Sequence, residues 1–293
     1  MSTLELRSRL AAGLGRAAPQ GAASAPSRGG ARGLRRLSGL SGWLLPLAIL
    51  ALWEAASRLA LVSPQLLPTP GAVVAEILAL AQSGDLFDHV AVTAGRVFAG
   101  FLWGTLAATL LGPLSGASAA ARSLLDPTIQ ALKAVPSLAW VPLFILWFGI
   151  FETSKVALIA VGVFFPVYLN LMAGIRQTDR KLVEVARVYG LGRWQIARRV
   201  LVPATLPSYF VGLRGGLALG WMFVIAAELM GASEGLGFLM VDGQMTGRPA
   251  LIVASLILFA LVGKASDALL AGLGRHLLTW QDSLENREGA GNA

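Results

Sequence analysis

Residues 184–203 read Glu-Val-Ala-Arg-Val-Tyr-Gly-Leu-Gly-Arg-Trp-Gln-Ile-Ala-Arg-Arg-Val-Leu-Val-Pro, a basic, polar stretch set between two strongly apolar ones. Residues 181–198 are expected to form two short helices broken at Gly190-Leu191-Gly192. Glu184 is placed in the first helical turn, where a carboxylate suits the positive end of the helix dipole. Ala186 is small enough for another surface to approach, and Gly190 admits a turn of positive φ that a side chain would penalise. Tyr189 and Trp194 offer apolar contact, and Pro203 and Pro207 are expected to end the polar segment. A generic interfacial helix with snorkelling basic side chains would explain the arginines. It would not explain the spacing of Glu184, Ala186, Gly190 and Pro203.

The rest of the chain says what solvent surrounds this stretch. Only 14% of the 293 residues are charged and 55% are hydrophobic, with a mean hydropathy of +0.67. A soluble domain carries about 25% charged residues, so the deficit points to lipid. Apolar runs are expected to cross the bilayer at about 43–62, 90–111, 135–150, 155–175, 206–231 and 249–273. The basic N-terminal stretch, the basic 176–205 loop and Arg275 then fall on one side, as the positive-inside rule requires. Both termini are expected in the cytoplasm. Residues 1–42 read as a disordered basic tail, 43–280 as the transmembrane domain and 281–293 as a polar tail.

Within the spans, Glu54 and Arg58 share a helix face and are expected to pair. Residues 71–82 read as a short amphipathic helix on the outer side. Gly100 with Gly104, and Gly212 with Gly216 and Gly220, mark faces for close helix approach. Ser137, Asn170 and Glu228 are the polar candidates for a solute path, Glu228 because an ionisable group at membrane depth is a functional candidate by default.

Several chemistries are excluded. The chain has no Cys, hence no disulfide or thiolate site, and only two His, His89 and His276, far apart in sequence. No metal site and no catalytic constellation is expected. No phosphate-binding loop exists: of the lysines only Lys264 follows a Gly, and the position that would need the first Gly is Leu258. The net charge of +8 lies in the N-terminal stretch and in the polar loop, which fits topology rather than nucleic acid. No clear internal repeat of the kind found in ion-driven carriers is present.

The spacing of Glu184, Ala186, Gly190 and Pro203 resembles the EAA loop of ABC importer permeases, with Val185, Val200 and Val202 as departures. From about Leu86 to Trp280 the chain is similar to permeases of the aliphatic sulfonate, taurine and nitrate group. The resemblance is carried by Leu124-Leu125-Asp126-Pro127, Val135-Pro136-Ser137-Leu138-Ala139-Trp140-Val141-Pro142-Leu143, Trp147-Phe148-Gly149, Phe165-Pro166-Val167-Tyr168-Leu169-Asn170, Gly174-Ile175-Arg176 and Gly263-Lys264. It implies an all-α, polytopic type I importer permease of about six membrane helices with a cytoplasmic coupling helix. It further implies a bacterial inner-membrane homodimer, two ATPase subunits that use ATP and Mg, and an external solute-binding protein. Glu184, Ala186, Tyr189, Gly190 and Pro203 would then be the residues that couple to the ATPase. The solute would be an aliphatic sulfonate, or alternatively taurine, nitrate or a pyrimidine-type compound. An ion-gradient-driven carrier is the competing reading.

Overall fold

The computed structural model describes residues 31–279 except 60, 64, 137, 138 and 230, and the side chains from Leu44 onward. Every regular element among them is helical. Among the described residues, those up to Leu52 form one unit and those from Trp53 onward a second. Helix α1 is Ala31–Arg58, so it starts inside the stretch expected as a tail, where Leu34, Arg35, Arg36 and Leu37 are good helix formers. Residues 1–30 and 280–293 lie outside the described part. Glu54 and Arg58 form the expected ion pair.

In the second unit, α2 is Pro70–Ser83. Thr69 caps it by accepting from the Ala72 N–H at 3.2 Å, and Pro70 sits in the first turn, where its missing N–H costs nothing. Helices α3 (Asp85–Ala117), α4 (Ala119–Ala134), α5 (Trp140–Phe148) and α6 (Glu152–Gln177) follow. Then come α7 (Arg180–Val188), α8 (Arg193–Leu229), α9 (Leu236–Met245) and α10 (Pro249–Leu277). Among the described residues, α3, α6, α8 and α10 are long and apolar enough to cross a membrane.

Helix α6 is the hub. Ile159, Val163, Val167 and Tyr168 are fully buried in it. The glycines expected to permit close approach do so, and both stripes face this one helix. A Cβ added at Gly100 of α3 would lie 2.5 Å from Ile159 Cγ2, and one at Gly216 of α8 would lie 2.9 Å from Val167 Cγ2. Backbones can meet this closely only where no side chain intervenes.

The order of these contacts fixes direction. Gly100 meets Ile159 and Gly116 meets Ile175, so α3 and α6 run parallel. Gly174 meets Ser208 and Gly220 meets Val163, so α6 and α8 run antiparallel. Two parallel neighbours require the chain to return across the bundle between Ala117 and Glu152. The 135–150 stretch, expected as one span, does not provide this alone. Helix α5 has nine residues, about 14 Å of rise against about 30 Å of hydrocarbon. The third crossing is therefore broken into α4 and α5. Pro136, which lacks an N–H to donate, lies in the break.

Candidate functional site

The polar loop lies at the end of the bundle where α3 and α6 finish. Asp179, not Glu184, supplies the acid at the start of α7: its Oδ1 accepts from the Lys181 N–H at 2.9 Å. Glu184 is five residues into the helix and exposed, which corrects its placement in the first turn. The helix ends as the Gly190 reading requires. Gly190 has φ +75°, its N–H donates to the Arg187 carbonyl at 2.9 Å, and the Leu191 N–H donates to the Ala186 carbonyl at 3.1 Å. These two crossed bonds form a Schellman cap, which needs a residue in the left-handed region at that position. After the break, the Gly192 N–H donates to Gln195 Oε1 at 3.0 Å and α8 begins.

One further expectation changes. Ala186 is 5% exposed, so its small side chain serves packing within this chain rather than offering itself to another. Pro203 lies where the polar segment gives way to the apolar span, as expected, but it does not interrupt the helix, because α8 runs without a stop from Arg193 to Leu229. A π-helical turn at Ala197–Leu201 widens the helix just before Pro203, where the proline ring would otherwise strike the preceding turn. Lys181, Glu184, Val185, Val188 and Tyr189 line one open hollow of about 600 Å³. Val188, Tyr189 and Trp194 are each more than three-quarters exposed. The structure thus gathers Glu184 and Tyr189 on an outward face, turns Ala186 inward, uses Gly190 to shape the exit, and leaves Pro203 in the following helix. An exposed apolar face on a segment that also exposes Arg187, Arg193, Arg198 and Arg199 is suited to another protein's surface.

The opposite end of the bundle holds a buried charge network. The Glu228 side chain is 0% exposed. Its Oε1 accepts from Arg96 Nη1 at 2.7 Å and Thr93 Oγ1 at 2.9 Å, and its Oε2 accepts from the Gly237 N–H at 2.8 Å. Arg96 also donates from Nε and Nη2 to the two oxygens of Glu152, at 2.6 and 2.7 Å, and from Nη1 to the Glu234 carbonyl at 2.7 Å. Lys155 Nζ donates to Glu152 Oε1 at 3.1 Å. The Leu236 N–H donates to Thr93 Oγ1, and the Gly235 N–H to His89 Nδ1. Gly235 has φ +115°, and a Cβ there would lie 2.5 Å from Glu228 Oε1. One carboxylate and one guanidinium thereby hold together α3, α6, α8 and the start of α9. A bidentate Arg–carboxylate pair fixes orientation as well as distance.

Of the three path candidates, Glu228 sits in this network. Asn170 lies on α6, where its Nδ2 donates to the Pro166 carbonyl at 2.8 Å and its Cβ faces Gly212 of α8. Ser137 lies outside the described residues. Arg96 was not singled out from sequence as a site residue. The available signal was a lone arginine inside the apolar run 90–111, which needs a partner at membrane depth.

Comparison with known proteins agrees with this architecture. The family described as binding-protein-dependent transport system inner membrane component matches residues 100–278. A protein of Bacillus subtilis (strain 168), named as an aliphatic sulfonates transport permease protein, SsuC, is 42% identical over 253 residues, covering 86% of this chain and 92% of the relative. A protein of the same name in Escherichia coli (strain K12) is 41% identical over 246 residues, covering 84% and 94%. The taurine transport system permease protein TauC of Escherichia coli (strain K12) is 32% identical over 242 residues, covering 81% and 88%. The chain belongs to the family of binding-protein-dependent transport system inner membrane components, and is thus a multi-pass ABC permease of a kind that works with an ATPase and a binding protein.

Proposed function

We propose that this permease imports a small organic anion, an aliphatic sulfonate, delivered by an external binding protein, and that α7 with its Schellman-capped exit receives the ATPase. The observation that carries the reading is the outward face of α7. Glu184, Val185, Val188 and Tyr189 line one hollow, directly before a glycine held at φ +75°. A rigid, capped helix transmits a push from a partner more faithfully than a loose loop. The ATPase would bind ATP with Mg and close. Two permease copies would then switch together, with both termini and the 176–205 loop in the cytoplasm. The sulfonate assignment is supported by the names of two relatives more than 40% identical to this chain.

The test is uptake of radiolabelled ethanesulfonate into cells carrying the permease, its ATPase and its binding protein. Uptake is expected to need an ATPase able to hydrolyse ATP and to fall sharply in Gly190→Arg. Competition by unlabelled taurine and nitrate separates the sulfonate reading from its two neighbours. Uptake that survives loss of ATP hydrolysis and collapses with the ion gradient would overturn the proposal.

A further inference from the structure

A second set of charges lies midway through the bundle. Arg214 of α8 donates from Nε to Asp267 Oδ1 at 2.8 Å and from Nη2 to Asp267 Oδ2 at 2.9 Å. Lys264 stands one helical turn before Asp267 on α10 and is exposed. Depth follows from the packing. Gly215, next to Arg214, lies against Pro166 near the middle of α6, and Lys264 is near the middle of α10. The register between α8 and α10 is held close by: Trp221, two turns beyond Arg214 on α8, donates from Nε1 to Oγ of Ser266, the neighbour of Asp267 on α10, at 2.9 Å.

These groups are not sealed in protein as the outer network is. The Arg214 side chain is 50% exposed and that of Asp267 is 31% exposed. The same face carries Val211, Ala218 and Leu261, all exposed. Charges left open at mid-depth are costly against lipid and are found facing a water-filled cavity or a bundle interior. The pair Arg214–Asp267 is neutral, so Lys264 leaves the cluster with one net positive charge. Among the described residues, Arg214 Nη1 and Lys264 Nζ have no hydrogen-bond partner, so at least two cationic donor groups remain for a ligand. Arg96 offers less, because Glu152, Glu228 and the Glu234 carbonyl take four of its five N–H groups and two carboxylates already balance its charge.

We infer that Lys264 and Arg214 form a recognition site for the charged head of the solute, an oxyanion of the sulfonate class, at mid-depth on the translocation path. Asp267 is a positioning residue that holds the guanidinium by one edge. Three oxygens on a sulfonate can accept from an arginine fork and an ammonium together, as phosphate and carboxylate groups do. The inference rests on the anion-import reading above.

The experiment reconstitutes the permease with its ATPase and binding protein in proteoliposomes and follows radiolabelled ethanesulfonate. Lys264→Arg is expected to keep uptake within about twofold. Lys264→Gln is expected to raise KM about tenfold, the loss of about one charge-assisted hydrogen bond. Lys264→Glu is expected to abolish uptake. Because the chain has no Cys, Ala218→Cys provides a single thiol on the same face. A water-borne, negatively charged thiosulfonate is expected to label it, and ethanesulfonate to slow that labelling. Wild-type uptake in both Lys264→Gln and Lys264→Glu, or an Ala218→Cys thiol that water-borne reagent never reaches, would overturn the site and leave the import reading standing. If the wild-type complex moves neutral solutes and none of ethanesulfonate, taurine or nitrate, the anion reading falls and the site falls with it.

Discussion

Arg96 Nη1 lies 2.7 Å from Glu228 Oε1, joining α3 to α8 across 132 positions of sequence, with the two side chains 5% and 0% exposed. Neither charge has water to fall back on. Removing Arg96 leaves Glu228 buried and uncompensated, which costs about 3–5 kcal/mol, and removing Glu228 takes from Arg96 one of its two carboxylate partners, whereas replacing both by apolar groups costs far less. Glu228→Ala and Arg96→Ala are each expected to lower the thermal midpoint of the detergent-purified permease markedly. Arg96→Met with Glu228→Met is expected to recover most of the loss. A double-mutant cycle on thermal stability checks this, and simple additivity of the two single changes would refute the coupling.

The two faces of α3 should respond oppositely to added bulk. At Gly100 a new Cβ meets Ile159 at 2.5 Å, while at Gly95 nothing lies within 4 Å. Gly100→Val is expected to destabilise by about 1–3 kcal/mol through overpacking. Gly95→Ala is expected to be neutral or stabilising by up to about 1 kcal/mol, the helix-propensity gain of alanine over glycine. Thermal melts of the two variants in the same detergent decide it.

The exit of α7 offers a similar contrast between neighbours. Gly190 has φ +75°, whereas Gly192 has φ −69° and no atom closer than 4.0 Å to an added Cβ. Gly190→Ala is expected to cost about 1–2 kcal/mol locally and to weaken ATPase association. Gly190→Asn is expected to be milder, because asparagine tolerates the left-handed region. Gly192→Ala is expected to leave association unchanged. Copurification of the ATPase with each variant is the measurement.

Arg248 and Glu76 pair between the start of α10 and α2, but the arginine side chain is 52% exposed. An open pair of this kind is worth about 0–1 kcal/mol. Glu76→Gln is therefore expected to shift the thermal midpoint very little, in contrast to Glu228→Ala. A large shift would mean that α2 is held to α10 chiefly through this bond.

Much of the fold could be read from the residues, because lipid imposes one rule on every span. Low charge, the glycine stripes at Gly100 and Gly212, and the basic 176–205 loop each gave a feature that the structure repeats. The Gly190 turn was legible because only a few residues accept positive φ. The third crossing was not, because 135–150 is apolar throughout and hydropathy does not say where a helix breaks. Nor does hydropathy reveal partners. Glu228 stood out alone, but Arg96 and Glu152 lie far from it in sequence, and only the parallel packing of α3 against α6 brings them to the same end. Ala186 was misread for a related reason: a small residue suits a contact on either side of a helix, and periodicity over nine residues does not choose between them. That α8 would run on through Pro203 was not legible, because a π-turn leaves no composition signal.

In the proposed mechanism the α7 exit meets the ATPase. A permease without cysteine allows a direct test: Tyr189→Cys, at a side chain that is 81% exposed, against Phe87→Cys on the opposite end of the bundle, 67% exposed. Each variant is assembled with its ATPase in native membranes and treated with a short bifunctional thiol–amine crosslinker. A permease–ATPase adduct is expected from position 189, changing in yield with ATP, and none from position 87. Equal adducts from both positions, or none from 189 in a complex that still hydrolyses ATP and takes up solute, would contradict it.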